Sequence, residues 1–183
     1  MQLLSQFQVQ TILLIYHKIA HLGKDRVDAL VSEFLAGGCS FKQDKNGFYR
    51  MIEIVKIKII SRDSHILCEK RVIHPDGTEK DVDRLPRKKV YIGMLVHEAL
   101  MACMHDDLGF AKDSYSVKPE VLTMDTRESR TYPGIQNIRT IHTFTIALKR
   151  DEEVSRTHVV NTNDGLVHHF SWTKNNPYHD KKV

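Results

Sequence analysis

Leu85-Pro86-Arg87-Lys88-Lys89-Val90-Tyr91-Ile92-Gly93-Met94-Leu95-Val96-His97-Glu98-Ala99-Leu100-Met101-Ala102-Cys103-Met104-His105-Asp106-Asp107-Leu108-Gly109-Phe110 is the stretch on which the reading of this chain turns. A basic run leads through Gly93 into apolar residues at helical spacing, Val96, Leu100, Cys103 and Met104, which predict a helix over 95–108 that stops at Gly109. Positions 103, 106 and 107 then stand at i, i+3 and i+4, so Asp106 and Asp107 share a face with Cys103. Read alone, the segment is also an ordinary amphipathic helix whose apolar face meets a core.

The flanks supply strands. Upstream, Val55, Ile57 and Ile59 alternate with Lys56 and Lys58, predicting a strand over 48–61, and a second follows at 65–73. His74-Pro75-Asp76-Gly77 is a turn, since proline presets its own φ and glycine accepts a positive one. Downstream, a short strand near 117–124 precedes a loop at 126–136 that contains Tyr132-Pro133-Gly134, and a long strand covers 138–148. Residues 154–160 and 166–172 form a hairpin across Asn163-Asp164-Gly165. At the other end, apolar spacing gives one helix over 3–22 and a second after a candidate cap at Asp25, ending at Gly37-Gly38. This helical hairpin packs on the rest as core, as a lid or as a dimer surface. The order lacks the strand-helix alternation of a doubly wound sheet, so the expected class is α+β, with a mixed sheet flanked by helices.

With these neighbours, the stretch 85–110 resembles the Nudix box, G-x5-E-x7-R-E-U-x-E-E-x-G-U with U a bulky apolar residue. Leu85-Pro86 match the lead-in, Gly93 a loop glycine, Met104, Gly109 and Phe110 the later apolar and glycine positions, and Asp106-Asp107 the glutamate pair. Lys88 stands at the first glycine, Met94 at the first glutamate, Ala102 at the arginine and Cys103 at the glutamate after it. The resemblance implies a Nudix-like domain over 47–174, beside which the N-terminal hairpin covers 1–38 and a polar tail covers 175–183. It also implies a cleft that once shared Mg²⁺ or Mn²⁺ among carboxylates. Hard cations prefer oxygen ligands, so a thiol at 103 and a shortened acidic pair predict weak metal holding and poor hydrolysis.

The candidate metal residues are Asp106 and Asp107, supplemented by Glu98 or Glu120 if the chain is a divergent hydrolase needing Mg²⁺ or Mn²⁺. Arg84, Arg87, Lys88 and Lys89 are candidate phosphate contacts, and need no metal for binding. Arg127, Arg130 and Tyr132 are candidates for a cleft border, with Tyr132 available to stack on a base. Each also reads as a solvated turn. Among the eleven histidines, His97 and Cys103 do not share an i, i+4 face, and His168 and His169 point to opposite sides of a strand. They are read as structural or surface residues, Cys103 as a small buried hydrophobe and Trp172 as core.

Composition narrows the setting. The 183 residues, 41% of them hydrophobic, suffice for one core, and a formal charge of +4 suits phosphate-bearing partners without the clustering of a dedicated nucleic-acid binder. Three scattered cysteines form neither a disulfide framework nor a zinc pattern, and the start of the chain lacks a basic signal region, so an intracellular, cytoplasmic protein without membrane contact is expected. Three functions follow as expectations: binding of a nucleotide, a nucleoside-diphosphate derivative or RNA without efficient hydrolysis; divergent metal-dependent hydrolysis; or service as an interaction subunit, homodimeric or larger, through the N-terminal helices.

Overall fold

The computed structural model describes residues 4–150, 158–162 and 165–174. The chain is α+β: ten strands and three helices among these residues, divided between two compact units. The first comprises Met1–Ile54, Lys89–Met94 and Thr123–Ile141; the second comprises Val55–Lys88, Leu95–Leu122 and His142–Val183.

In the first unit, α1 (Gln6–Ile19) opens on a capping box: the Ser5 hydroxyl accepts from the Gln8 amide at 3.2 Å, and the Ser5 amide donates to Gln8 Oε1 at 2.9 Å. A short 3₁₀ turn leads to α2 (Lys24–Leu35), capped by Gly23 at φ 92° rather than by Asp25. Asp25 instead lies in the first turn, where its charge favours the helix N-terminus. Strands β1 (Ser40–Asp44) and β2 (Gly47–Ile60) pair antiparallel, with Asp44 opposite Gly47. Ile15, Ile19, Val27, Leu30 and Phe34 from the helices bury against Cys39, Phe48, Tyr132 and Ile135. The helical hairpin is therefore core on one side, while Phe7 and Leu13 of α1 stay 65% and 64% exposed.

The second unit holds β3 (Ile66–Ile73) and β4 (Glu79–Arg84), which flank the expected turn, where the His74 amide donates to the Thr78 carbonyl at 2.8 Å. Next come β5 (Arg87–Val90), α3 (Val96–Ala102), β6 (Tyr115–Val117), β7 (Val121–Glu128), β8 (Gln136–Leu148), β9 (His158–Asn161) and β10 (Val167–Thr173). The sheet order is β6-β8-β2-β3-β10-β9, with β4 beside β3. Long strands β2, β7 and β8 contribute residues to both units, as β5 does.

Two expectations change here. Residues 87–90, read as a loop, form a strand, and β7 runs to Glu128 into the expected loop. The C-terminal hairpin forms, with Asn161 opposite Val167, although its residues 154–157 and 163–164 and the tail 175–183 lie outside the described residues. No helix among those described is long and apolar enough to cross a membrane.

Helix α3 buries Ala99 and Leu100 fully, and burial of a leucine contributes roughly 1.5–3 kcal/mol. It does not end as an α-helix. Residues Cys103–Asp107 widen into a π-turn, in which the Leu108 amide donates to the Cys103 carbonyl at 3.0 Å, five residues back. Gly109 then reverses the chain at φ 73°, a conformation that a side chain disfavours.

Candidate functional site

A cleft of about 210 Å³ opens in the second unit, lined by Glu69 and Arg84 on β3 and β4, Arg87 on β5, Cys103, Asp107 and Leu108 on the helix, and Val160, Thr162, Leu166, His168 and Phe170 toward β9 and β10. Its floor depends on pairing: Phe170 lies opposite Glu69 and His168 opposite Val72, with a register shift that leaves Lys70 as an extra residue in β3. Side chains on a regular strand share a face every second residue. The bulge allows Glu69 and Val72, three apart, to share the face of His168 and Phe170.

Glu69 is 2% exposed, and its charge is met on both oxygens. Arg84 Nε donates to Oε2, Arg84 Nη2 donates to Oε1 at 2.8 Å, and His168 Nδ1 lies 2.7 Å from Oε1. Burial raises the pKa of this carboxyl; the hydrogen bonds from His168 and Arg84, with the guanidinium charge, outweigh burial and hold it at about 2. Glu69 was not among the residues singled out from the sequence. Its one signal was a carboxylate following Leu67 and Cys68 in an apolar strand.

The helix presents its acidic residues unequally. Asp107 lines the cleft and accepts from Lys88 Nζ at 2.9 and 2.6 Å, whereas Asp106 is exposed and does not line it. The i, i+3, i+4 face expected of an α-helix is thus altered where the helix widens. Cys103 is 3% exposed, and burial pushes its thiol up to about 12, so it behaves as the expected small hydrophobe. Glu98 closes the first turn of α3, accepting from the Leu95 amide at 2.9 Å, and Glu120 pairs with His142. The predicted carboxylates accordingly do not assemble. Among the described residues, no group of three histidines, cysteines or carboxylates comes close enough to hold a metal ion.

The basic residues separate. Arg84 and Arg87 line the cleft, and Lys88 reaches Asp107, while Lys89, next along the strand, pairs with Glu33 in the first unit. Arg127, Arg130 and Tyr132 also belong to the first unit. Tyr132 is 6% exposed in its core, with the Arg50 guanidinium 5.5 Å from the ring centroid, so its ring is covered rather than open to a base. Arg127 and Arg130 are exposed. His105 lies within 3.1 Å of the Tyr115 hydroxyl and 2.5 Å of the Phe110 carbonyl, a structural role, and His97 is exposed. Trp172 is half-buried at the end of β10.

Chemically, the cleft sets Arg84 and Arg87, with Lys88 on Asp107, beside an apolar wall from Leu108, Val160, Leu166 and Phe170. Guanidinium groups beside an apolar wall suit an anionic fragment carrying carbon. At about 210 Å³ the space lies below the roughly 300–1,000 Å³ of pockets that enclose whole drug-sized ligands, so it suits one end of a ligand.

No family model matches the chain, and no curated protein is similar to it. Among solved structures, a Nudix hydrolase from M. smegmatis, RenU, aligns over 73% of this chain and 78% of its own, at 14% identity and a TM-score of 0.36. Likeness at that level leaves the chemistry to this chain's own residues, which form a charged cleft beside a helix with one acidic residue turned inward.

Proposed function

We propose that the chain is a Nudix-like domain that binds the phosphate-bearing end of a nucleotide or nucleoside-diphosphate derivative in the second-unit cleft, without hydrolysing it efficiently. The kinship rests on the spacing of the box. The loss of hydrolysis rests on one observation: Lys88, at the position of the box's first glycine, places its ammonium on Asp107, the one acidic residue of the pair that lines the cleft. An ammonium there competes with a divalent cation for the same carboxylate. RNA bearing a terminal phosphate belongs to the same ligand class.

The test is a panel of nucleoside diphosphate derivatives with and without Mg²⁺ or Mn²⁺, followed for both binding and product release. Saturable binding that weakens with salt, without turnover, is the expected result. Turnover that disappears in both Asp106→Ala and Asp107→Ala would overturn the proposal in favour of a divergent hydrolase. A second reading, an interaction subunit, homodimeric or larger, is favoured by the exposed Phe7 and Leu13 on α1, and gains ground if neither binding nor turnover is seen.

A further inference from the structure

The two helices of the N-terminal hairpin differ in the faces they leave to solvent. Helix α2 exposes Lys24, Asp25, Arg26 and Ser32, as a solvated helix does, with Leu35 at its C-terminal end as its one large apolar exception. Helix α1 buries Thr11, Ile15 and Ile19, and on its opposite side turns Val9, Leu13 and Tyr16 outward at 43%, 64% and 42% exposure. Their i, i+4, i+7 spacing aligns them in one stripe along the helix, so α1 is apolar on both sides. A contiguous apolar stripe of this kind marks a surface that is covered in use.

The chemistry of the stripe selects its occupant. From Met1 to His17 the chain carries no Asp, Glu, Lys or Arg, although 27% of the sequence is charged. A strongly charged partner would lose hydration against this face and find no counter-charge, which disfavours nucleic acid and acidic or basic peptides. Helices that lie in a membrane surface carry lysines and arginines along their polar side, and α1 has Lys18 alone, in its last turn. A copy of the same face brings no charge either, and the centres of homodimer interfaces are depleted of charge. Tyr16 is already held for contact: its hydroxyl donates to Asp28 Oδ1 at 2.9 Å, which fixes the ring before association and lowers the entropy lost on docking.

We propose that the chain forms a symmetric dimer in which α1 packs antiparallel on α1 of a second copy, along the Val9-Leu13-Tyr16 stripe, about a two-fold axis at Leu13. Reversal of direction sets Leu13 beside its own mate and Val9 beside Tyr16 of the partner subunit, the self-complementary pattern of a two-fold interface. It also separates the two Lys18 ammonium groups and opposes the helix dipoles, whereas a parallel pair would bring like ends together. With the polar residues that border it, the stripe presents roughly 600 Å² per copy, so a pair buries about 1,200 Å², the lower edge of specific interfaces. Such a dimer rests on the interaction reading above, names its partner, and needs nothing from the cleft.

Sedimentation equilibrium of the full chain from about 1 to about 200 μM should show a reversible dimer with a dissociation constant on the order of 10 μM, as suits an interface of that size. Leu13→Glu sets two carboxylates face to face on the axis and should weaken association at least about a hundredfold. In dilute solution this variant should keep the parental melting temperature, because the side chain is exposed. Leu13→Cys should form a disulfide-linked dimer on exposure to diamide, since a residue on the axis meets its own copy. Cys39, Cys68 and Cys103 are all buried and do not compete, and Arg26→Cys, on the exposed side of α2, is the control.

A monomer throughout that range, or cross-linking no faster in Leu13→Cys than in Arg26→Cys, would overturn the proposal. A dimer indifferent to Leu13→Glu would keep the interaction reading and remove this surface from it. Flotation of the monomer with phosphatidylcholine vesicles, abolished by Leu13→Glu, would assign the stripe to lipid and overturn the dimer as well. The ligand reading fails separately: a strict monomer that binds nucleotides loses the dimer alone, and a dimer that binds none loses the ligand of the cleft alone.

Discussion

Each unit contains a carboxylate shared between two partners, and the two arrangements differ in what surrounds them. In the first unit Glu33 accepts from both Arg50 and Lys89, Arg50 also donates to Asn137 at 3.2 Å, and Tyr132 lies against the guanidinium in a core that includes Cys39 and Phe48. In the second, Glu69 is held by Arg84 and His168 on the wall of a cleft. Arg50 is 9% exposed as a residue, whereas the Arg84 side chain retains 28%. The same device braces a core when closed off and becomes available to a ligand when one partner borders open space.

The sharpest way to break this contrast is to remove each carboxylate. Glu33→Ala strands the buried Arg50 and should cost about 3 kcal/mol in urea unfolding, the lower end of the range for breaking a buried pair, because Lys89 can still reach solvent. Glu69→Ala should cost less, about 2 kcal/mol, since water entering the cleft can solvate Arg84 and His168. Equal losses would remove the distinction between a sealed cluster and an open one.

A pH series sharpens it further. The Glu69 carboxyl is lowered from an ordinary 4.5 to about 2, so its contribution is fully present above about 4.5 and is lost as pH falls toward about 2. Glu69→Gln should flatten the unfolding free energy across that window. A steep acid limb in the variant would assign the loss to other carboxylates. The smallest effect belongs to Lys88→Met: its pair with Asp107 is more than a quarter exposed on both sides, so stability should change by less than about 1 kcal/mol, while Mn²⁺ affinity, followed by paramagnetic relaxation of water, should rise as Asp107 is released.

How far the sequence reaches follows the same physics. Strands with one wet face, such as 55–59, and the helix 96–107 announce themselves through periodic apolar residues. Strand β4, Glu79-Lys80-Asp81-Val82-Asp83-Arg84, does not, because its side chains are mostly solvated, and neither does β5, whose Arg-Lys-Lys-Val run carries no apolar alternation although it is largely half-buried. For the site, Arg84, Arg87 and Asp107 were legible beside the box, and they line the cleft. Glu69 and His168 were not recognised as a pair, being 99 positions apart and joined only by the pairing of β3 with β10. Tyr132 and Lys89 show the opposite limit. Residue type suggested ligand contacts, and only burial and pairing reveal a core aromatic and a partner for Glu33.

The additional residue in β3 is spare to the pairing that shapes the site. Removing Lys70 would leave Glu69 and Val72 two apart in an unbroken strand, still on one face and still opposite Phe170 and His168, and would give up only the exposed pair between Lys70 and Asp83. Drift in this segment should therefore tolerate loss of position 70, whereas losing one residue more would turn either Glu69 or Val72 to the reverse side of the sheet.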